Sequence, residues 1–209
     1  MAVFLDSANL DHAREAADLG FVSGATTNPK LLAQAAPSNA QEVMGNLAAL
    51  FRGPVFYQLQ ARTKDGMRRE AERFVKIAPN VGLKIMCHLA GLGFVAEASQ
   101  EVKVAVTGVF SPSQAYLAAQ AGAHYIIPYV NRLTRYVGSG PRAIADMVKV
   151  ISGTPCEILA AGIKTTAEAV DTLLAGAHHV SLPLEVIKEM ARSPWTEQAM
   201  DDFDAASRP

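Results

Sequence analysis

The stretch VGLKIMCHLAGL runs from Val81 to Leu92. Its first half, "VGLKIM" (81–86), is an apolar run of strand length that holds one lysine, Lys84. Lysine is almost never fully buried unless something pairs with it. An ammonium placed in such company loses water, and desolvation favours the neutral amine, which is a nucleophile at pH 7. A plainer reading is a strand-end lysine whose head reaches solvent.

Seven runs of the same kind flank it. Before it come "AVFLD" (2–6), "FVSGAT" (21–26) and "PVFYQLQ" (54–60). After it come "VKVAVT" (102–107), "HYIIPYV" (124–130), "CEILAA" (156–161) and "HHVSLPL" (178–184). Each is rich in Val, Ile, Phe or Tyr. Amphipathic segments lie between them: "SNAQEVMGNLAALF" with a Ser38 cap, "TKDGMRREAERFVKIA" with a Thr63 cap, "SPSQAYLAAQAGA" and "TTAEAVDTLLAGA". The last two follow Ser or Thr and end near Gly. Eight strand–helix alternations predict an α/β fold, a closed parallel (β/α)8 TIM barrel filling residues 1–209 as a single domain. An open doubly wound sheet is the alternative that strand counting leaves standing.

Composition narrows the function. The 209 residues carry a net charge of -1, with half of them apolar, which fits one domain with a sizeable core. No basic excess marks the chain for nucleic acid or for an anionic membrane. Two distant cysteines, Cys87 and Cys156, give neither a metal spacing nor a disulfide framework. A cytoplasmic protein with no metal and no cofactor is the expectation. An acid at position 6 and the lack of a long apolar run argue against a signal peptide and a membrane span.

In a barrel, chemistry sits where the strands meet the βα loops. Polar residues gather at those ends: Asp6; Thr26, Thr27 and Asn28; Gln58 and Gln60; Lys84; Thr107; Tyr129, Asn131 and Arg132; Gly162 and Lys164. Singly, each has an ordinary reading. Asp6 reads equally as a helix cap, Thr26 to Asn28 as a turn before Pro29, and Tyr129 as a core aromatic. Together they suggest one converging mouth. Cys87–His88 is a poor nucleophile–base pair, because adjacent strand residues face opposite ways. The same alternation makes His178–His179 a strand pair rather than a metal site. "GSGPR" (138–142) offers backbone amides at a helix start, or is a plain loop.

The chain resembles the small transaldolase-like enzymes, above all the fructose-6-phosphate aldolase group. The matching pieces are "FLDSAN", "GATTNPKLL", "VFYQLQA", "GLKI", "VTGVF", "IIPYVNR", "GSG", "LAAGIKT" and "HHVSLPLEV", in the family's order over nearly the whole chain. The resemblance implies a (β/α)8 barrel whose fourth-strand lysine, Lys84, forms a Schiff base with a ketose. It implies that Asp6 and Asn28 hold ketose hydroxyls with Thr26 lining the site. Tyr129 would be the acid/base group, acting directly or through a water held by Gln58 and Thr107, and Arg132 would meet a phosphate. Glutamine at 58, where transaldolases carry glutamate, tilts the expectation from dihydroxyacetone transfer to aldol cleavage.

Two stretches depart from the family pattern. Met86, Cys87 and His88 replace a Pro-Val-Thr run, so His88 stands where the family has threonine beside the reactive centre. Gly162 replaces a phosphate-holding serine, which leaves Lys164 or backbone amides to compensate. That substitution predicts a smaller advantage for phosphorylated acceptors, restored on adding the hydroxyl. The resemblance further implies a ring-based homo-oligomer, a pentamer or decamer, in which the C-terminal segment at about 194–206 is a helix packed on a neighbour. A helix closing its own barrel is the plainer reading of that segment. The functional alternatives are a transaldolase and a catalytically silent sugar-phosphate-binding barrel.

Overall fold

The computed structural model describes residues 1–35 and 39–207. Eight parallel strands close on themselves in sequence order. They are β1 (Ala2–Asp6), β2 (Val22–Thr26), β3 (Val55–Gln58), β4 (Val81–Met86), β5 (Val104–Val109), β6 (Tyr125–Pro128), β7 (Glu157–Ala160) and β8 (His179–Leu182). Helices α1 (Leu10–Asp18), α2 (Pro29–Ala35), α3 (Ala40–Leu50), α4 (Lys64–Val75) and α5 (Leu89–Ala98) follow the first four strands. Then come α6 (Pro112–Gln120), α7 (Val130–Val137), α8 (Gly140–Val150), α9 (Thr166–Leu174), α10 (Leu184–Met190) and α11 (Pro194–Ala206). The barrel excludes the open doubly wound alternative. Among the described residues no helix is long and apolar enough to cross a membrane.

Closure makes two cores. Outward residues of the strands pack under the helices, as Val55, Leu83, Val106 and Ile158 do. Inward residues fill the barrel: Phe4, Phe56, Ala105, Ile127, Leu159 and Ala161, with Tyr125 and Tyr129 beside them. Alternation along each strand then dictates the upper layer. Two residues beyond Phe4 stands Asp6, beyond Phe56 stands Gln58, and beyond Ala105 stands Thr107.

Short polar side chains start the helices as the sequence indicates. Thr63 accepts from Gly66 N at 3.2 Å, Ser111 from Gln114 N at 3.3 Å, and Thr165 from Glu168 N at 3.1 Å. Such caps are worth about 1 kcal/mol each. Ser38 lies outside the described residues; Asn39 caps α3 by accepting from Glu42 N at 3.2 Å. Asp6 is not the cap of α1, because Asn9 takes that role.

The opposite end of the barrel is structural. His178 Nδ1 accepts from Ile158 N, while His179 Nε2 lies 2.9 Å from Glu157 Oε2. The two histidines therefore face different ways, and no cluster of three metal-ligating side chains exists among the described residues.

Candidate active site

One inward side chain from nearly every strand end meets at the mouth. Lys84 is 2% exposed, and its register partner on β3 is Gln58. Burial pulls its ammonium down to about 8, against the opposing pull of the Asp6 charge. Burial pushes the Asp6 carboxyl up, while Lys84 and the Thr26 hydrogen bond hold it back. Thr26 Oγ1 donates to Asp6 Oδ1 at 3.0 Å and lies 2.7 Å from Ser181 Oγ. Since the single Thr26 proton serves Asp6, Ser181 must donate into Thr26. A relay of two hydroxyls thus fixes the carboxylate from behind.

A second hydroxyl orients the phenol. Thr107 Oγ1 lies 2.7 Å from Tyr129 Oη and 3.3 Å from the Ile127 carbonyl. Burial raises the Tyr129 pKa; Thr107 and Arg132 oppose that rise. Arg132 stacks on the phenol ring, its Cζ 4.8 Å from the centroid. Gln58 Oε1 is enclosed and has no hydrogen-bond partner among the described residues. An enclosed acceptor of this kind asks for a water or a ligand hydroxyl.

These groups line a cleft of about 530 Å³. Asp6, Asn28, Gln58, Lys84 and Tyr129 belong to it, and so do Arg132, Gly162 and Lys164. Thr26 and Thr107 are fully buried and do not line it. They position Asp6 and Tyr129 instead, so Thr26 corrects the expectation of a lining residue. Thr27 is structural: its hydroxyl donates to the Phe56 carbonyl at 2.8 Å. Asn28 spends its Oδ1 on Leu31 N, leaving the amide nitrogen as its donor.

His88 is not in this cleft. It starts α5, where Nδ1 accepts from Gly91 N at 3.3 Å, and its ring borders a neighbouring cleft. Cys87 is half-buried, and burial raises its thiol pKa, which suits an inert thiol. The GSGPR turn offers little to an anion. Ser139 Oγ accepts from Arg142 N, Thr134 Oγ1 from Gly140 N, and Ser139 O from Ala143 N. With a proline at 141, no amide of that first turn is free.

Four features escaped the sequence reading. Lys30 and Arg135 join Arg132 and Lys164 in the cleft lining, making a cationic rim. Arg135 is three residues after Arg132 on a helix, a spacing that puts both on one face and could have been noticed. Ser181 sits two residues beyond inward His179, again a readable alternation. Glu168 was not readable: its carboxylate accepts from Asn131 Nδ2 at 3.0 Å and Lys164 N at 2.8 Å, tying the β7 loop to α7. Met86, exposed at the end of β4, reaches over Gly108. There the β5–β6 register slips and Gly108 takes φ +70°. A Cβ at 108 would come within 2.6 Å of Met86 Cε, so glycine makes room for the thioether.

The chain that builds this cleft is similar to known proteins over nearly its whole length. The family model Transaldolase/Fructose-6-phosphate aldolase matches residues 3–208. A probable transaldolase of Heliobacterium modesticaldum is 37% identical over 206 residues, covering 97% of this chain and 95% of the relative. Those of Alkaliphilus metalliredigens and Caulobacter vibrioides are 35% and 36% identical over 206 residues. Each pairs with 97% of this chain, over 96% and 94% of the respective relative. The chain therefore belongs to the transaldolase/fructose-6-phosphate aldolase family and is an enzyme of that family.

Proposed function

We infer that the protein is a class I aldolase that makes and breaks the C3–C4 bond of a ketose through a Schiff base on Lys84. The observation that carries this reading is a fully buried lysine, with a pKa drawn down to about 8, inside a cleft shared with Asp6 and Tyr129. The Lys84 amine adds to the C2 carbonyl, and the carbinolamine loses water to give an iminium. The C4 hydroxyl gives up its proton to the Tyr129 hydroxyl as that group passes its own to a water at Gln58 Oε1, with Thr107 holding the phenol in place. The C3–C4 pair then flows into the iminium, an enamine remains on Lys84, and the aldehyde departs. Protonation at C3 and hydrolysis release the ketone. Asp6 and Asn28 hold donor hydroxyls.

Borohydride tests this directly. Incubation with dihydroxyacetone and borohydride should add the reduced donor's mass to Lys84. Absence of any adduct would leave a silent sugar-phosphate-binding barrel as the better reading.

The substrate reads as a sugar phosphate, its anion held by Lys30, Arg132, Arg135 and Lys164. Arg132 offers the strongest contact, since a guanidinium binds phosphate in a bidentate way. Adding a serine hydroxyl at 162 fits poorly with the backbone found there. Gly162 has φ +65°, and its Cβ would stand 3.4 Å from Tyr129 Cβ. A side chain in the left-handed region costs about 1–2 kcal/mol. Gly162→Ser should therefore lower the melting temperature and change the preference for glyceraldehyde 3-phosphate over glyceraldehyde by less than threefold, a loose bound set against the roughly tenfold that one good charged hydrogen bond gives. A tenfold rise in that preference at unchanged stability would restore the expectation drawn from the sequence.

Release or transfer of the donor turns on Gln58. The relatives carry the name probable transaldolase, and transfer is the second reading. An amide orients water without exchanging protons, whereas a carboxylate exchanges them. Gln58→Glu should raise the ratio of transaldolase to aldolase rate. Both rates moving in proportion would remove Gln58 from that choice.

Assembly belongs to the same reading. Helix α11 buries none of its residues, and Trp195, Met200 and Phe203 are all exposed. Such a face suits packing on a second copy better than closing its own barrel.

A further inference from the structure

The cationic rim is larger than one phosphate needs. Arg132 and Lys164 follow neighbouring strands, β6 and β7, and their two charges already match a phosphate dianion. Arg135 adds a third charge to the same cleft. None of the three makes an ion pair among the described residues. The acid beside Lys164 is Glu168, and it spends Oε1 on Asn131 Nδ2 and Oε2 on Lys164 N. Arg135 therefore reaches the cleft uncommitted.

It is also braced. Arg135 Cζ lies 5.9 Å from the Tyr136 ring centroid, much as Arg132 Cζ lies 4.8 Å from that of Tyr129. Phe110 joins the two stacks, its centroid 6.1 Å from the Tyr129 ring and 6.0 Å from the Tyr136 ring. One run of three aromatic rings thus carries both guanidiniums. A stacked guanidinium has less freedom to lose when it meets an anion.

Position along the substrate follows from α7. Tyr129 takes the C4 proton and Arg132 lies on its ring, so this wall serves the aldehyde half of the ketose. Three residues after Arg132, Arg135 stands one turn farther from Tyr129 on the same helix face. Side chains so spaced leave the helix about 5–6 Å apart. A carbon–carbon bond is about 1.5 Å, so two more carbons carry a phosphate up to about 3 Å farther out. The long arginine stem covers the remainder. Lys30 meets the cleft from the other wall, because β2 and β6 stand opposite each other in the closed barrel.

We propose that Arg135 is a specificity-determining residue, an outer anion subsite that takes the phosphate of a five-carbon aldose 5-phosphate acceptor. The inner subsite at Arg132 takes the phosphate of the three-carbon glyceraldehyde 3-phosphate. Placement on the acceptor side rests on the Schiff-base reading above. The covalent step is unchanged: the enamine carbon bonds to the aldehyde carbon, the aldehyde oxygen takes a proton, and the phosphate ester stays intact.

Alditol phosphates test the subsite without turnover, since they carry no aldehyde and form no ring. Isothermal titration compares glycerol 3-phosphate with arabinitol 5-phosphate on the parent, Arg135→Ala and Lys30→Ala. Arg135→Ala should weaken arabinitol 5-phosphate about tenfold, the size of one charge-assisted hydrogen bond, and glycerol 3-phosphate by much less. Equal weakening of the two ligands overturns the proposal, because it shows a general loss of positive charge. Unchanged arabinitol 5-phosphate binding overturns it too, as does a selective loss in Lys30→Ala that is absent from Arg135→Ala. Borohydride trapping with dihydroxyacetone in parallel separates the two readings. Selective loss in Arg135→Ala without any adduct on Lys84 keeps the subsite and sinks the Schiff base. An adduct on Lys84 with no selective loss does the reverse.

Discussion

Lys84→Met should abolish turnover, on the order of 10⁴-fold or more in kcat, while the barrel stays folded. Removal of an essential nucleophile has effects of that size or larger. A pKa of about 8 leaves roughly one lysine in ten neutral at pH 7, against roughly one in three thousand at 10.5. Burial thus supplies a reactive amine near neutrality. The parent's kcat/KM should rise about tenfold per pH unit and level off near pH 8, because only the neutral amine attacks.

Stability makes the same prediction sharper. The folded chain holds the Lys84 proton less tightly than the unfolded chain does, 8 against 10.5. Between those values the unfolded state binds more protons, so stability rises with pH across the window. Below about pH 8 the full penalty applies, on the order of 3 kcal/mol. Methionine removes that penalty. It also removes the charge that restrains Asp6, whose carboxyl then rises further and takes back part of the gain. The variant should melt at or above the parent at pH 7, and the gap should close toward pH 10. Aldol activity surviving in Lys84→Met ends the nucleophile assignment. A melt several degrees lower shows instead that the ammonium–carboxylate pair holds the mouth together.

The fold was legible because barrel strands, buried on both faces, read as apolar runs. The run 81–86 matches β4 residue for residue, and 2–6 matches β1. Run ends drifted where backbone geometry, not hydropathy, decides. The β5 run was placed at 102–107, but the bulge at Gly108 carries the strand on to Val109. β3 stops at Gln58 because Glu70 captures the amides of Gln60 and Ala61. The reacting layer was legible through alternation, which puts Asp6, Gln58, Lys84 and Thr107 on inward positions. What lies one layer out was not. Glu168 clamps the β7 loop across 37 residues of sequence, and no local pattern announces such a contact. His88 was misplaced for a related reason. The resemblance set it beside the reactive centre in a threonine's place, yet its capping bond to Gly91 holds the ring toward the neighbouring cleft.

Tyr129→Phe carries the other large effect. Burial keeps Tyr129 a phenol at neutral pH, with the Thr107 hydroxyl donating into its oxygen, so its natural acts are to donate its own proton and to relay one from a substrate hydroxyl to water. Phenylalanine keeps the ring under Arg132 and its edge contact with Phe110, 6.1 Å between centroids. The Thr107 hydroxyl keeps the Ile127 carbonyl as an acceptor, so no buried donor is orphaned. Folding should therefore be little changed. Losing a positioned acid/base group costs about 10²–10⁴-fold in rate. The split between steps is the informative part. Lys84 keeps its burial and its Asp6 partner, so dihydroxyacetone should still be trapped on it by borohydride in Tyr129→Phe. Cleavage of the C3–C4 bond, which needs the C4 hydroxyl proton removed, should become the slow step, with kcat falling by that factor and KM moving little. A variant within tenfold of the parent kcat would hand proton transfer to the water held by Gln58. Loss of trapping along with turnover would place Tyr129 in iminium formation instead, as the acid that expels water from the carbinolamine.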